Sequence, residues 1–250
     1  MTGATDPAHR LAVWSDFGGV LTPSAAESTR AFGERIGVRP EVLRRAVGTV
    51  TARYGVSDPM EPLDTPLVDE ATWTRQLEQV LAEEHGLPVR IGDFGSHWFA
   101  DRAVNEPWLA ALRGLRSRGV FVGLLSNMVP SWERHWRAMV PAEELFDQVV
   151  VSHQVGCRKP DRRIFELAAS LAGRPPEHCV LVDDLAANCA GARAAGWHAI
   201  EFSDAGSALD RLTTWLDQPG PAGAASTPVP HASATPSLTT AVHTAGRNPS

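Results

Sequence analysis

The sequence predicts an α/β protein, a doubly wound parallel sheet with helices on both faces and a second, all-helical unit inserted after the first strand. Three observations carry this. From Asn105 onward, short apolar runs alternate with amphipathic helical stretches across short links, the pattern of a parallel sheet covered on both sides. The isolated run Leu11–Trp14 reads as one more buried strand of that sheet. Between the two, residues 23–103 carry helical periodicity and no convincing strand.

Taken in order, the chain opens on ten polar residues expected to be flexible, then the strand at Leu11, which breaks into Asp16-Phe17-Gly18-Gly19. Pro23 to Gly37 is helical, with Phe32 and Ile36 one turn apart. Pro40 starts a second helix with Val42, Leu43, Ala46, Val47 and Val50 on one face, because proline suits the first helical position. A Pro-rich stretch from Asp58 to Pro66 reads as loop. Glu70 to His85 is helical, with Trp73, Leu77, Val80 and Leu81 in a stripe ended by Gly86 and Pro88, and a further helix lies near Asp93 to Arg102.

Beyond Asn105 come a helix (Trp108–Ser117), a strand (Val120–Leu125) ending in Ser126-Asn127, and a helix (Ser131–Met139). A strand (Gln148–Val151) and a loop follow, reaching Lys159-Pro160-Asp161. Next are a helix (Arg162–Leu171), a strand (Cys179–Val182) ending in Asp183-Asp184, and a helix (Leu185–Ala195). A short strand (His198–Phe202) and a last helix (Ala205–Leu216) complete the series. The organisation expected is 11–22 with 104–217 as sheet domain and 23–103 as helical insert. Residues 218–250, rich in Pro, Ala, Ser, Thr and Gly, form a tail too poor in apolar periodicity to order itself.

With 250 residues, 43% of them hydrophobic, the chain can bury a large core. A net charge of −6 with scattered basic residues gives no footprint for nucleic acid, and no apolar run reaches membrane-spanning length. The polar N-terminus followed by a short apolar run does not read as a signal peptide, so a cytoplasmic protein is expected. Cys157, Cys179 and Cys189 lack metal-ligand spacing and read as reduced, buried thiols. Among 23 basic side chains, Lys159 is the single lysine. Where arginine serves everywhere else, a lone ammonium marks a place that needs a compact point charge.

Strand ends of like direction share one edge of a doubly wound sheet, so Asp16, Ser126-Asn127, Lys159 and Asp183-Asp184 converge on one crevice. Singly, each has an ordinary reading. Asp16 could cap a turn with the glycines supplying unusual dihedrals, Ser126 could cap the next turn, Asp183-Asp184 could cap the helix after them, and Asn188 could lie on a solvated helix face. Asp161 reads as the N-cap of the helix at Arg162. Jointly, several carboxylates, one lysine and a Ser-Asn pair fit a phosphate with a divalent cation, since Mg²⁺ takes hard oxygen ligands and relieves repulsion among acids. Arg53, Tyr54, Trp73, His97 and Trp98 could face this crevice or form the insert's own core and surface. Trp132 and Trp136, one turn apart, read as core or as a dimer contact.

The segments Asp16-Phe17-Gly18-Gly19-Val20-Leu21, Leu125-Ser126-Asn127, Arg158-Lys159-Pro160-Asp161 and Val182-Asp183-Asp184-Leu185-Ala186-Ala187-Asn188, in this order, resemble the four motifs of the haloacid dehalogenase-like hydrolase superfamily. The insert resembles that superfamily's C1-type helical cap. The resemblance spans about residues 10 to 216 and implies a Rossmann-like sheet and a Mg²⁺-dependent phosphatase acting on a small phosphorylated substrate, as monomer or homodimer. It makes Asp16 the nucleophile, places Ser126, Asn127, Lys159 and Gly19 around the phosphoryl group, and assigns Mg²⁺ to Asp16, Asp184, the backbone carbonyl of Gly18 and Asp183, as ligand or supporting partner. Many relatives carry a second Asp, the general acid/base, where this chain has Gly18. Members with Asp-x-Gly exist, and the difference implies slow turnover or substrates with good leaving groups.

The resemblance also orders the alternatives. Dehalogenases work without metal and have little use for paired acids at Asp183-Asp184. A phosphonate-cleaving mechanism needs a cap lysine, which residues 23–103 lack. A phosphomutase needs the acid that Gly18 replaces. A weakly active or regulatory phosphate-binding module is the reading from another class.

Overall fold

A computed structural model of the chain describes residues 11–216; the expectations for 1–10 and 218–250 lie outside the described residues. Five parallel strands, β1 (Ala12–Ser15), β2 (Phe121–Ser126), β3 (Gln148–Val151), β4 (Cys179–Asp183) and β5 (His198–Glu201), form one sheet in the order β3-β2-β1-β4-β5. The Rossmann-like α/β class is therefore as expected. The chain builds outward from β1 to β3, then returns to the other side of β1 for β4 and β5. That reversal makes the carboxyl ends of β1 and β4 the rim of a crevice.

The helices are α1 (Ala25–Ile36), α2 (Pro40–Ala52), α3 (Glu61–Asp64), α4 (Glu70–His85), α5 (Phe94–Phe99), α6 (Glu106–Ser117), α7 (Glu133–Met139), α8 (Ala142–Leu145), α9 (Ser152–Val155), α10 (Arg162–Ala172), α11 (Ala186–Ala194) and α12 (Ala205–Leu216). Local chemistry sets several starts. Ser24 and Glu27 form a reciprocal capping box on α1, and Asp69, Asp93, Asn105 and Asp161 each accept a backbone N–H as N-caps of α4, α5, α6 and α10.

Alternation along β1 divides the core. Val13 points into a cluster shared by α6, α12 and the helices of the insert, whereas Ala12 and Trp14 point into a second cluster with α10 and α11. Trp14 fits because β2 has Gly123 against it, where a Cβ would come within 2.4 Å of the indole. The insert is not a separate globule. Phe17, which follows β1, sits 6.2 Å from Trp136 and 6.4 Å from Phe99 ring to ring, so one apolar cluster runs from sheet to helices.

The two chain crossings between sheet and insert are tied together at Asn105. Its N–H donates to the Leu21 carbonyl at 2.8 Å and its side-chain amide to the Val20 carbonyl at 2.8 Å. The one-turn helices α3 and α9 stand where loops were expected, and α8 is a third single turn. A single turn is too short to show periodicity and too short to be stable alone. In α3, the turn is held by distant residues: Leu63 and Asp64 are both 1% exposed, and the Ser152 hydroxyl donates to the Asp64 carbonyl at 2.8 Å. All three cysteines are buried and unpaired, as expected. Among the described residues, no helix is long and apolar enough to cross a membrane.

Candidate active site

The carboxyl edge of β1, β2 and β4 surrounds a cavity of about 140 Å³, bordered by Asp16, Gly18, Ser126, Asn127, Lys159, Asp184 and Asn188 from the sheet side. Asp16 is fixed as an extension of β1, its N–H donating to the Val182 carbonyl at 2.9 Å. Lys159, 1% exposed, lies between two carboxylates, with its Nζ 2.8 Å from Asp16 Oδ1 and 2.6 Å from Asp183 Oδ2. The single lysine of the chain is thus the ammonium at the centre of the crevice.

The remaining polar groups hold this pair in place. Asp183 is fully buried, and its oxygens also accept from the Leu185 N–H at 2.9 Å and the Asn188 amide at 3.0 and 3.1 Å. Asn127 brackets Lys159 through the backbone: its Oδ1 accepts from the Lys159 N–H at 2.8 Å, and its Nδ2 donates to the Lys159 carbonyl at 2.9 Å. The Ser126 hydroxyl has only a long 3.5 Å contact to the Asn127 carbonyl, so it keeps donor and acceptor capacity toward the cavity.

Gly19 adopts φ +73°, and its N–H is used by the Pro23 carbonyl at 3.2 Å. What its missing side chain accommodates is Asp184, whose Oδ2 would be 1.9 Å from a Cβ. Gly19→Ala is accordingly expected to lose about 1–3 kcal/mol of stability, read as a lowered urea midpoint, because it combines a left-handed dihedral with a clash. An unchanged midpoint would show that Asp184 is free to move aside. Gly18 has open space where a Cβ would be.

Electrostatics set the site apart from a structural cluster. Oxygens of Asp16, Asp183 and Asp184 lie within 4.8 Å of one another, with one ammonium among them. Burial, reinforced by Asp183 and Asp184 against the pull of Lys159, raises the Asp16 carboxyl to about 7. Burial and the neighbouring Asp183 raise Asp184 to about 6. At Lys159, burial opposes the charged form, yet Asp16 and Asp183 outweigh it and hold the pKa above its ordinary value. Three convergent carboxylates exceed what one ammonium neutralises. Among the described residues, no other residue donates a hydrogen bond to the Asp184 side chain, so a hard cation is the partner this donor set fits.

On the far side of the sequence, Arg158 forms ion pairs with Asp58 (2.8 Å), Glu61 (3.3 Å) and Asp64 (2.8 Å), clamping α3 beside the cavity. Of the residues that could face the crevice or form the insert's core and surface, Trp98 borders the cavity; Trp73 is core, and the Tyr54 hydroxyl donates to Gln76. Arg53 and His97 do not border the cavity. Trp136 is core, and Trp132 is buried at the cavity wall. Asp161 caps α10 as read. Arg102, Asp64 and the clamping role of Arg158 were not legible locally, since each depends on partners up to 100 residues away or on a place beside the cavity.

The arrangement has counterparts. The chain is 32% identical over 130 residues to a phosphoserine phosphatase of Thermus thermophilus (50% of this chain, 52% of the relative). It is 37% identical over 108 residues to a glyceraldehyde 3-phosphate phosphatase of Methanothermobacter thermautotrophicus (41% and 46%). It thus spans about half the length of these curated relatives. In fold it is similar to an L-2-haloacid dehalogenase (TM-score 0.61, 18% identity, 81% of this chain and 98% of the other). A HAD family enzyme of Bacteroides thetaiotaomicron in a magnesium complex is likewise similar (TM-score 0.57, 21% identity, 81% and 98%). A family model matches residues 11–196, taking in all four strand ends of the crevice, and the chain belongs to the haloacid dehalogenase-like hydrolase family.

Proposed function

We propose that this protein is a cytoplasmic phosphatase that hydrolyses a small phosphorylated metabolite through an aspartyl-phosphate on Asp16, with residues 11–22 and 104–217 as catalytic core and 23–103 as cap. The observation that carries the reading is the buried Lys159 ammonium bound to Asp16 and Asp183 with a third carboxylate, Asp184, beside it. Two of the curated relatives are phosphatases, which supports the same reading.

In the first step a carboxylate oxygen of Asp16 attacks phosphorus and the bond from phosphorus to the ester oxygen breaks. Lys159 holds the attacking carboxylate in place and offsets charge on the phosphoryl oxygens, while the Ser126 hydroxyl and the backbone at Asn127 orient them. Asn127 and Asp183 contribute by fixing Lys159. Water then hydrolyses the acyl phosphate, releasing phosphate and restoring Asp16. With Gly18 in the general-acid position, the leaving alkoxide takes its proton from water, which disfavours poor leaving groups. General acid help of this kind is typically worth about 10²–10⁴ in rate.

Asp16, Asp184 and the Gly18 carbonyl are the groups that would hold Mg²⁺, with Asp183 supporting them. When bound, the ion supplies charge stabilisation to the transferring phosphoryl group. Hydrolysis of a panel of phosphate esters is expected to fall at least about a hundredfold in EDTA and to return with added Mg²⁺. Hydrolysis indifferent to EDTA would overturn the metal assignment. Hydrolysis of no ester, with measurable ligand binding, would make the protein a phosphate-binding module.

A further inference from the structure

Three basic residues border the cavity, and two are accounted for: Lys159 by Asp16 and Asp183, Arg158 by the acids of the α3 segment. Arg102 is different. No carboxylate among the described residues pairs with it. One terminal nitrogen donates to the Pro23 carbonyl at 3.2 Å, and its Nε–H, shut off from solvent, has no hydrogen-bond partner. The guanidinium is nonetheless held firmly. Its carbon lies 5.6 Å from the Trp98 ring centre and 5.4 Å from that of Phe99, both of which also border the cavity. The preceding residue, Asp101, takes φ +56°, an uncommon conformation outside glycine, and its carboxylate is tied to Arg35 at 3.1 Å.

Beyond the Pro23 carbonyl, the terminal nitrogens of Arg102 have no acceptor among the described residues, so at the cavity wall they offer donors to an anion within it. Burial lowers Arg102 to about 10, against the opposite pull of Asp16 from beyond ion-pair distance, so it is still a cation at neutral pH. Among the described residues, no anion therefore completes Arg102. The phosphoryl group has its own cation in Lys159, and a planar fork matches a carboxylate. A cavity of about 140 Å³ leaves room for a short carbon skeleton between the two.

We propose that Arg102 binds a carboxylate on a small phosphate monoester whose phosphoryl end lies at Asp16, making this a phosphatase of short phosphorylated acids. This rests on the hydrolase reading only for which end of the substrate meets Asp16.

The test compares 3-phosphoglycerate with glycerol 3-phosphate, two three-carbon esters that differ in the carboxylate. Titration calorimetry with the full chain carrying Asp16→Asn is expected to give tighter binding of 3-phosphoglycerate. Adding Arg102→Gln should raise its Kd about thirtyfold or more while changing glycerol 3-phosphate by less than about threefold. Arg102→Lys, which keeps the charge and loses the fork, should fall between. Equal loss for both esters would assign Arg102 to the phosphoryl group. That result, no loss for either, no preference in the parent protein, or no binding of either ester would each overturn the proposal. Wild-type turnover with Mg²⁺ is read separately. Failure to hydrolyse either ester while the binding difference persists would remove the phosphatase reading and leave the role of Arg102 intact.

Discussion

Asp16→Asn is expected to lower hydrolysis of phosphate esters by at least about 10³-fold while leaving the thermal midpoint within roughly 3 °C of wild type. The amide is nearly isosteric but is no nucleophile toward phosphorus, so the covalent step is lost. Stability should hardly change because Asp16 is not ionised cheaply in the fold. Burial and the nearby Asp183 raise its carboxyl to about 7 even with Lys159 in contact. Removing this charge relieves an excess of carboxylate, and Lys159 keeps Asp183 as partner at 2.6 Å. Stopped hydrolysis in a folded protein, measured by phosphate release beside a melting curve, is the expected pairing. Retention of more than a tenth of the activity would transfer the nucleophile's role elsewhere.

Lys159→Met has the opposite balance, with a large effect on stability as well as on turnover. It takes away the cation shared by two buried carboxylates, and breaking a buried pair by removing one partner costs about 3–5 kcal/mol. For a protein of this size that is a fall in midpoint of roughly 6–20 °C. The diagnostic addition is Asp183→Asn in the same chain. By removing the charge left unpaired, it should recover part of the lost stability, yet it should not recover hydrolysis, because the ammonium that contacts Asp16 is still missing. A midpoint unaffected by Lys159→Met would show that these carboxylates are neutral in the folded protein.

The two variants differ because Asp16 and Lys159 stand in different relations to the fold. Asp16 follows directly from a strand and is held by its backbone, with its charge a burden the site carries for chemistry. Lys159 follows a loop, and side chains from three other strand ends fix its backbone and its ammonium. A similar asymmetry marks what could be read from the chain. Helix α4 was legible because a regular apolar stripe runs up to Gly86, and the structure adds Asp69 as its N-cap. Helix α3 was not, because its single turn depends on Arg158 and Ser152, which approach it from the other end of the chain.

Asn127 illustrates the limit at the site itself. Its place after β2 put it at the crevice, but its side chain is spent on the Lys159 backbone rather than directed at a ligand. Gly19 is the converse. The resemblance sets it beside the phosphoryl group, and the group that fills the space of its missing side chain is the Asp184 carboxylate.

By itself, the sequence determined the parallel sheet, the helical insert and the set of polar residues at the strand ends, because hydrophobic period and strand direction are local properties that accumulate along the chain. The lone lysine was legible for a similar reason, since composition is visible without geometry. Only the tertiary structure decided which acids the lysine bridges, that Asp184 occupies the space of a missing Cβ, and that Arg102 is a half-buried cation with no carboxylate partner among the described residues. Those facts depend on distances between residues far apart in sequence, and on the desolvation that folding imposes once they meet.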